Sequence, residues 1–575
     1  MPNDIAADLD DRWLQMALGL GLVALFVLRV WGLYQTPLNL GPDEAQYWRW
    51  AQEPAWGYYS KPPLIAWIIG GTTYFFSDAE WAVRLPAPLL HAATALIVLL
   101  LARDMFGLRT GVLAAVFYGL MPGVSLSSGV MTTDGVLLPL WALSLYALWR
   151  LRGRPTDWSI ACLLGIAIGL AVLAKYAAVY FLLGMALAAW IDLDTRRALV
   201  STRGAVAVLV ALLITLPHFA WNAANDFQTL AHTADNANWG GTLFNPQNAI
   251  KFAVDQMGIV GPIGFVAMVA ALFSVLKPNP AAAPHPAERW LICFIAPALI
   301  IILVQAVTSR AHANWAATAY VGGAILVTSW LVRPRRIAIW QWGLAGAVLL
   351  IAAFFIPDVS WEGRLLIGIG LAGTVIGMGW FAQWKRSGLL WGSYALHGFV
   401  AAVFMALAIG PPAWADGLGL AGAFKQTRGW PATTDELSSL IQATDADILV
   451  VDDRETWHSL DYYSREGFPV EIVSWRRQAV PHSFAERDPL QLSEDGVALI
   501  ASIHTWLEPR MEQDFGTFVR HGTLSVPLGG GKWRRLNLFL AQSYKPVPRT
   551  PEWEAQFLES DAAFNRAKKL GNQAP

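Results

Sequence analysis

The stretch from Trp158 to Ile191 reads WSIACLLGIAIGLAVLA, then Lys175, then YAAVYFLLGMALAAWI. Two apolar runs, 158–174 and 176–191, meet at a single charge. A membrane crossing needs about 20 mostly apolar residues, so this stretch reads as two nearly fused spans with one lysine at their common end. Outward from it the pattern recurs at 13–33, 83–102, 106–122, 135–151, 203–221, 256–276, 289–308, 313–332, 336–356, 363–383 and 390–410, making about thirteen spans in all. The composition agrees: 55% of the 575 residues are hydrophobic and 14% are charged, against roughly 25% charged in soluble domains. The expectation is a polytopic α-helical membrane protein. A net charge of -1 argues against bulk nucleic-acid binding. Cys162 and Cys293 fall inside spans, so no disulfide framework is expected. The first apolar run is long enough to span and lacks a cleavage pattern, so it reads as retained.

The charges then sort by side. Arg103 and Arg109 follow the second span, and Arg150, Arg152 and Arg154 follow the fourth. Arg196, Arg197 and Arg203 follow the sixth, Lys277 and Arg289 flank the loop after the eighth, Arg333, Arg335 and Arg336 follow the tenth, and Lys385 and Arg386 follow the twelfth. Basic loops face the cytoplasm. The opposite side carries loops 34–82 and 222–255 and the tail 411–575. That tail is rich in charge, with strand-like runs at Ile448–Val451, Val470–Val473 and Leu536–Leu540 and a helix-like stretch from Asp435 to Ala443. It reads as a small soluble α/β domain after a membrane domain of residues 1–410.

The outer side also collects the chemistry. Its first loop reads Gly41-Pro42-Asp43-Glu44-Ala45-Gln46-Tyr47-Trp48-Arg49-Trp50, then Gly57-Tyr58-Tyr59-Ser60-Lys61-Pro62-Pro63. Pro42 suits a helix start, and Asp43 and Glu44 suit its first turn. The plain structural account is an interfacial helix anchored by Trp48, Trp50 and Trp56. Lys61 before two prolines is harder to explain as a snorkelling side chain, because the prolines hold one ammonium in a set place. Asp134 opens the fourth span in Met131-Thr132-Thr133-Asp134-Gly135. His232 lies in the second outer loop, and Arg310, Asn314 and Trp315 stand at the mouth of the tenth span. Arg84 reads as an anchor of the second span at the interface.

Together these motifs resemble the lipid-phosphate-sugar-dependent glycosyltransferases of family 39. That family includes dolichyl-phosphate-mannose protein mannosyltransferases and bacterial lipid A aminoarabinose and galacturonic acid transferases. The resemblance covers residues 13 to about 410 and implies a GT-C membrane fold with thirteen spans and a periplasmic C-terminal domain. It implies that Asp43 is the catalytic carboxylate and Asp134 the second acid. It places Lys61, Lys175 and Arg310 on the donor phosphate, and Glu44, Tyr47, Tyr59, His232 and Asn314 around the substrate. Two departures stand out. Ser60 replaces a Glu that precedes the lysine in the aminoarabinose branch, and Gln46 replaces a basic residue of that branch. A divalent metal cation is the one cofactor in view, and Ser60 removes a carboxylate that could have held it.

The implied reaction is transfer of a sugar from a polyprenyl-phosphate donor, such as undecaprenyl phosphate, to an extracytoplasmic acceptor. The acceptor could be lipid A, another glycolipid, a polysaccharide or a protein. The implied location is the bacterial inner membrane, with the active site in the periplasm. Departing phosphate needs cations, and an acceptor hydroxyl needs a carboxylate to take its proton. A lipid transporter or flippase is the competing reading. It predicts ionisable residues at mid-span and repeated halves, and neither is evident. A non-catalytic scaffold leaves Asp43, Lys61 and Asp134 unexplained. Two further patterns carry no site. Gly529-Gly530-Gly531-Lys532 lacks the spacing of a phosphate-binding loop, since Trp533 follows. Val451-Asp452-Asp453 reads as a strand end.

Overall fold

The computed structural model describes residues 2–237, 244–274, 284–309, 311–332 and 361–560. The chain forms two compact units. One comprises Met1–Gln35, Lys61–Ile68 and Phe75–Ala406; the other comprises Thr36–Ser60, Ile69–Tyr74 and Leu407–Pro575. This division differs from a single cut near residue 410, because the start of the first outer loop clusters with the C-terminal tail.

The first unit is helical. Among the described residues, five helices are long and apolar enough to cross a membrane: Asp11–Gln35, Glu80–Phe106, Thr202–Ala224, Pro286–Thr308 and Gly388–Ile409. Leu108–Leu120, Trp158–Ala174, Tyr176–Ile191 and Ala319–Val332 are apolar but shorter. The protein is thus a multi-pass membrane protein. The thirteen expected spans do not map one to one onto these helices, and the eleventh, 336–356, lies outside the described residues. The twelfth and thirteenth fall on one continuous helix, Trp361–Ile409. The eighth, 256–276, is not one rod: Pro246–Val260 and Pro262–Ser274 meet at 114°. Gly261 at their junction has φ +82, and a Cβ there would lie 1.9 Å from His397 Nε2. Only glycine fits that turn, and Pro262 starts the next helix.

Close packing follows from small residues. Gly165 and Gly169, one helical turn apart, face the helix Thr202–Ala224. A Cβ on Gly165 would meet Ala207 O at 2.4 Å, and one on Gly169 would meet Ile214 Cβ at 2.9 Å. Such spacing lets helix backbones approach directly in a membrane. Elsewhere Trp141, Phe181, Phe294 and Trp290 fill the core.

Both ends of the 21-residue helix Thr133–Gly153 are fastened. At its C-terminal end Arg150 binds Asp104 at 2.8 Å, and Arg152 binds Asp192 through two bonds of 2.7 and 2.8 Å. Burial opposes ionisation of Asp192, but Arg152 and Thr195 outweigh it and hold its carboxyl down to about 2. These pairs join the basic loops after the second, fourth and sixth spans. Asp134 sits at the opposite end, about 27 Å away at 1.5 Å per residue. The alternating charges of the sequence therefore mark two ends of one helix bundle.

The second unit carries a five-stranded sheet of β1 (Ile448–Val451), β2 (Glu471–Ser474), β3 (Val497–Ser502), β4 (Phe515–Gly529) and β5 (Lys532–Tyr544), in the order β2-β1-β3-β5-β4. The first three are parallel, and β4 and β5 form an antiparallel hairpin. The Gly529–Gly531 run is its turn, with φ of +88, +54 and +72. Asp452 accepts hydrogen bonds from Ser502 Oγ and from the amides of Ile503 and His504. Asp453 caps the helix Arg454–Tyr463. Both acids thus finish a strand and start a helix.

The helix Pro42–Gln52 packs on Arg454–Tyr463 within this unit. Trp48 meets Tyr462 edge to face at 4.9 Å, and Leu40 N donates to Tyr463 Oη at 2.7 Å. Trp48 and Trp50 are buried, and Trp56 is half exposed. The interfacial-helix account fails for the first two tryptophans: they are core residues of the soluble unit, not headgroup anchors.

Candidate functional site

In the first unit, three helix ends bring together Asp134, Lys175 and Asn314. Thr132 caps the helix Thr133–Gly153 by accepting from Gly135 N at 3.1 Å, which sets Asp134 in the first turn, where the helix dipole favours a negative charge. Lys175 interrupts two helices with an extended backbone, φ -165 and ψ 137. Its ammonium donates to Asp134 Oδ1 at 2.7 Å and Oδ2 at 2.9 Å. Asn314, in the short 3-10 turn Ala313–Ala316, donates to Oδ2 at 2.6 Å. Asp134 is nearly buried, at 8% exposure.

A second polar layer lies beside Lys175. Tyr176 Oη and His218 Nε2 are 2.7 Å apart, and Asn222 Nδ2 donates to His218 O at 3.1 Å. Behind the first turn that holds Asp134, buried His91 bonds Tyr118 Oη at 3.0 Å and Ser127 Oγ at 2.7 Å. None of these residues was singled out from the sequence. Each sits within an apolar span, where one polar residue leaves no local pattern.

Lys61 belongs to this unit and is half buried, ahead of buried Pro62 and Pro63. His232 lies half buried on the helix Gln228–Ala237, not in an irregular loop. Arg310 lies outside the described residues. Arg84 is buried at 2% exposure, so it is not a surface anchor.

In the second unit, Asp43 opens the helix Pro42–Gln52. Its side chain is 65% exposed, and Arg454 Nη2 approaches Oδ1 at 3.6 Å. The same guanidinium donates to Gln46 Oε1 at 2.7 Å, and Gln46 Nε2 reaches Ser60 Oγ at 3.3 Å. A basic group thus stands beside Gln46, supplied from more than 400 residues along the chain. Glu455 is a further neighbour. Burial, then Asp453, pushes its carboxyl up, and Asp43 adds to the rise. Glu44 is 1% exposed and accepts from Gly41 N at 2.9 Å, so it closes a capping box. Tyr47 is buried against Trp50, and Tyr59 is half buried. Among the described residues, no group of three His, Cys, Asp or Glu side chains is placed to hold a metal. Both oxygens of Asp134 are taken by Lys175 and Asn314, so the residues present do not form a cation cradle.

Comparison with known proteins follows the same lines. Over 91% of this chain, the structure matches 98% of apo ArnT from Cupriavidus metallidurans at 18% identity and a TM-score of 0.57. The undecaprenyl-phosphate-bound form of ArnT gives a TM-score of 0.56 over 90% of this chain and 98% of that one, at 18% identity. The fold is that of a GT-C membrane glycosyltransferase. Residues 60–221 match the family model described as dolichyl-phosphate-mannose-protein mannosyltransferase. The lipid A galacturonosyltransferase RgtD of Rhizobium johnstonii is 36% identical over 54% of this chain and 66% of its own length. The lipopolysaccharide core galacturonosyltransferase RgtA of the same organism is 28% identical over 44% of this chain and 51% of its own length. An undecaprenyl phosphate-alpha-4-amino-4-deoxy-L-arabinose arabinosyl transferase of Pseudomonas paraeruginosa is 28% identical over 36% of this chain and 39% of its own length. The chain therefore spans from 39 to 66% of the length of these relatives. It belongs with the family 39-like GT-C proteins.

Proposed function

We propose that this protein is an inverting glycosyltransferase that moves a sugar from a polyprenyl-phosphate donor to an extracytoplasmic acceptor. The observation that carries the reading is the Asp134–Lys175–Asn314 cluster at one end of the helix bundle. Ionisable groups within a bilayer are costly. A lysine fixed by an acid at the bundle end sits where a lipid phosphate can reach it. A flippase would instead need charges along its spans.

The roles divide by environment. Asp134 already neutralises Lys175 and holds it in place, so it serves best as the orienting acid. Lys175 and Lys61, with Arg310, would stabilise negative charge on the departing phosphate. Asp43 is exposed and loosely paired, which suits proton transfer. It would take the proton of the acceptor hydroxyl as that oxygen bonds the anomeric carbon. The bond from that carbon to the phosphate oxygen breaks at once, and the phosphate leaves with the electron pair. A single displacement inverts the anomeric centre. The full arrangement would have thirteen passages, with this chemistry and the C-terminal domain in the periplasm of a bacterial inner membrane.

The donor sugar is best read as a uronic acid. The 36% relative is named a galacturonosyltransferase. In addition, Ser60 offers no carboxylate to an amino sugar, and its hydroxyl is engaged by Gln46. Lipid A or another envelope glycolipid is the favoured acceptor. The test is release of free polyprenyl phosphate by purified protein in lipid nanodiscs, with donors bearing galacturonic acid, aminoarabinose or mannose, with membrane extract as acceptor, and with and without divalent cation. Release with the uronic donor, lost in Asp43→Asn and Lys61→Ala, supports the reading. No release with any donor overturns it.

A further inference from the structure

The second unit holds a cavity of about 290 Å³ beneath the helix Arg454–Tyr463. Its walls include Arg49, Trp457, Asp461, Phe468, Glu471 and Asp488. We propose that it is a binding site for one pyranose ring, uncharged or aminated, separate from the residues assigned to the transfer reaction.

Two unfilled valences face each other there. Asp461 Oδ2 and Arg49 Nε are buried without hydrogen-bond partners, and they stand 3.8 Å apart, too far to bond directly. One is an acceptor and the other a donor. A phosphate or carboxylate can only accept, and an ammonium can only donate. A hydroxyl does both, so it is the group that satisfies the pair. The other faces suit a sugar. Trp457 and Phe468 offer apolar surface to C–H groups, and the indole is fixed by its bond to Ile472 O at 2.9 Å. The size agrees: the space far exceeds the ~30 Å³ share of one water and lies near the ~300 Å³ lower bound of ligand pockets.

The charge selects further. Asp461, Glu471 and Asp488 line the cavity against the single cation Arg49. Glu53 adds another acid nearby, bound to Arg49 at 2.7 Å and to Arg487 at 2.5 Å. This surplus of acids repels phosphorylated and uronic rings and tolerates an amino group. Burial holds the Asp461 carboxyl up at about 6, Arg49 lowering it and Glu53 raising it. An incompletely partnered acid has this character.

The test is saturation-transfer NMR on the full-length protein in nanodiscs with methyl glucoside, glucosamine and galacturonate. Affinities of order millimolar are expected for so small a ligand. The first two sugars should give saturable signals. Asp461→Ala should abolish both signals, Asp488→Ala should weaken glucosamine several-fold more than the glucoside, and Asp43→Asn should leave both unchanged. If Asp461→Ala does not fold, the Asp488→Ala selectivity decides. Absence of any signal would mean the cavity holds only water and would overturn the proposal. So would galacturonate binding as well as the others, or signals indifferent to both cavity variants. Because Asp43→Asn retains binding under this proposal, its failure is distinguishable from failure of the transferase reading.

Discussion

Asp134 and Asp43 both occupy the first turn of a helix, yet their surroundings are opposite. Asp134 is nearly enclosed, accepts two bonds from an ammonium and one from an amide, and has no oxygen to spare. Asp43 is 65% exposed and has one guanidinium at 3.6 Å. The same residue type at the same helical position is a structural counter-charge in one place and an available base in the other. What separates them is the number of donors aimed at each carboxylate, which helix position alone does not set.

The largest test of that contrast is activity. Asp43→Asn should lower turnover by about 10²–10⁴, the usual worth of a general base, while thermal unfolding stays within about 0.5 kcal/mol of wild type. Unfolding melts alongside a donor-release assay would check both. A stability loss comparable to that of an Asp134 variant would break the comparison. Next, Asp134→Ala should destabilise the protein by about 3 kcal/mol, because Lys175 keeps its charge in a poorly solvated place. Adding Lys175→Met should recover most of that stability and none of the turnover. Recovery of turnover would show that the pair is structural only.

Asp461 lies between the two extremes, being mostly buried but short of donors. Its folded carboxyl, near 6, lies above its ordinary value of 3.8. The native state therefore holds the proton more tightly than the unfolded state. Stability falls as pH rises from about 4 to about 6, and the penalty is complete above that range. Asp461→Asn should raise stability at pH 7.5 by about 1–3 kcal/mol, with the gain vanishing below pH 4. Melts across that range would show it, and a gain independent of pH would sink the explanation. The smallest effect belongs to Arg454→Ala. An exposed pair contributes about 0–1 kcal/mol, so donor release should change by less than about ten-fold while melts barely move.

Much of this was legible in the chain because charge inside an apolar run is costly and therefore conspicuous. Asp134, Lys175 and Asn314 stood out at span ends, and the structure joins them. The strand-like runs at 448–451 and 470–473 and the helix around 435–443 correspond to β1, β2 and Trp430–Thr444. Residues 536–540 lie within β5, but the hairpin around them is far longer. The exposed positions of β4, such as Arg520 and His521, dilute its apolar signal. The bend at Gly261 escaped because hydropathy reports composition and not direction; Gly261-Pro262 was the available cue. Arg454 could not be placed beside Asp43 at all, since a pairing over 400 residues leaves no local trace. Trp48 and Trp50 misled for a related reason: a tryptophan looks alike at a membrane surface and in a core.

The helix Thr133–Gly153, fastened at both ends, also has a mechanical consequence. Gripped by Lys175 and Asn314 at one end and by Asp104 and Asp192 at the other, it is a strut of nearly fixed length. Other helices can tilt to fit a thinner or thicker membrane at a modest cost. This one transmits the strain of a poor fit straight to Lys175. The enzyme should therefore sense acyl-chain length, turning over fastest where the hydrocarbon slab matches the strut.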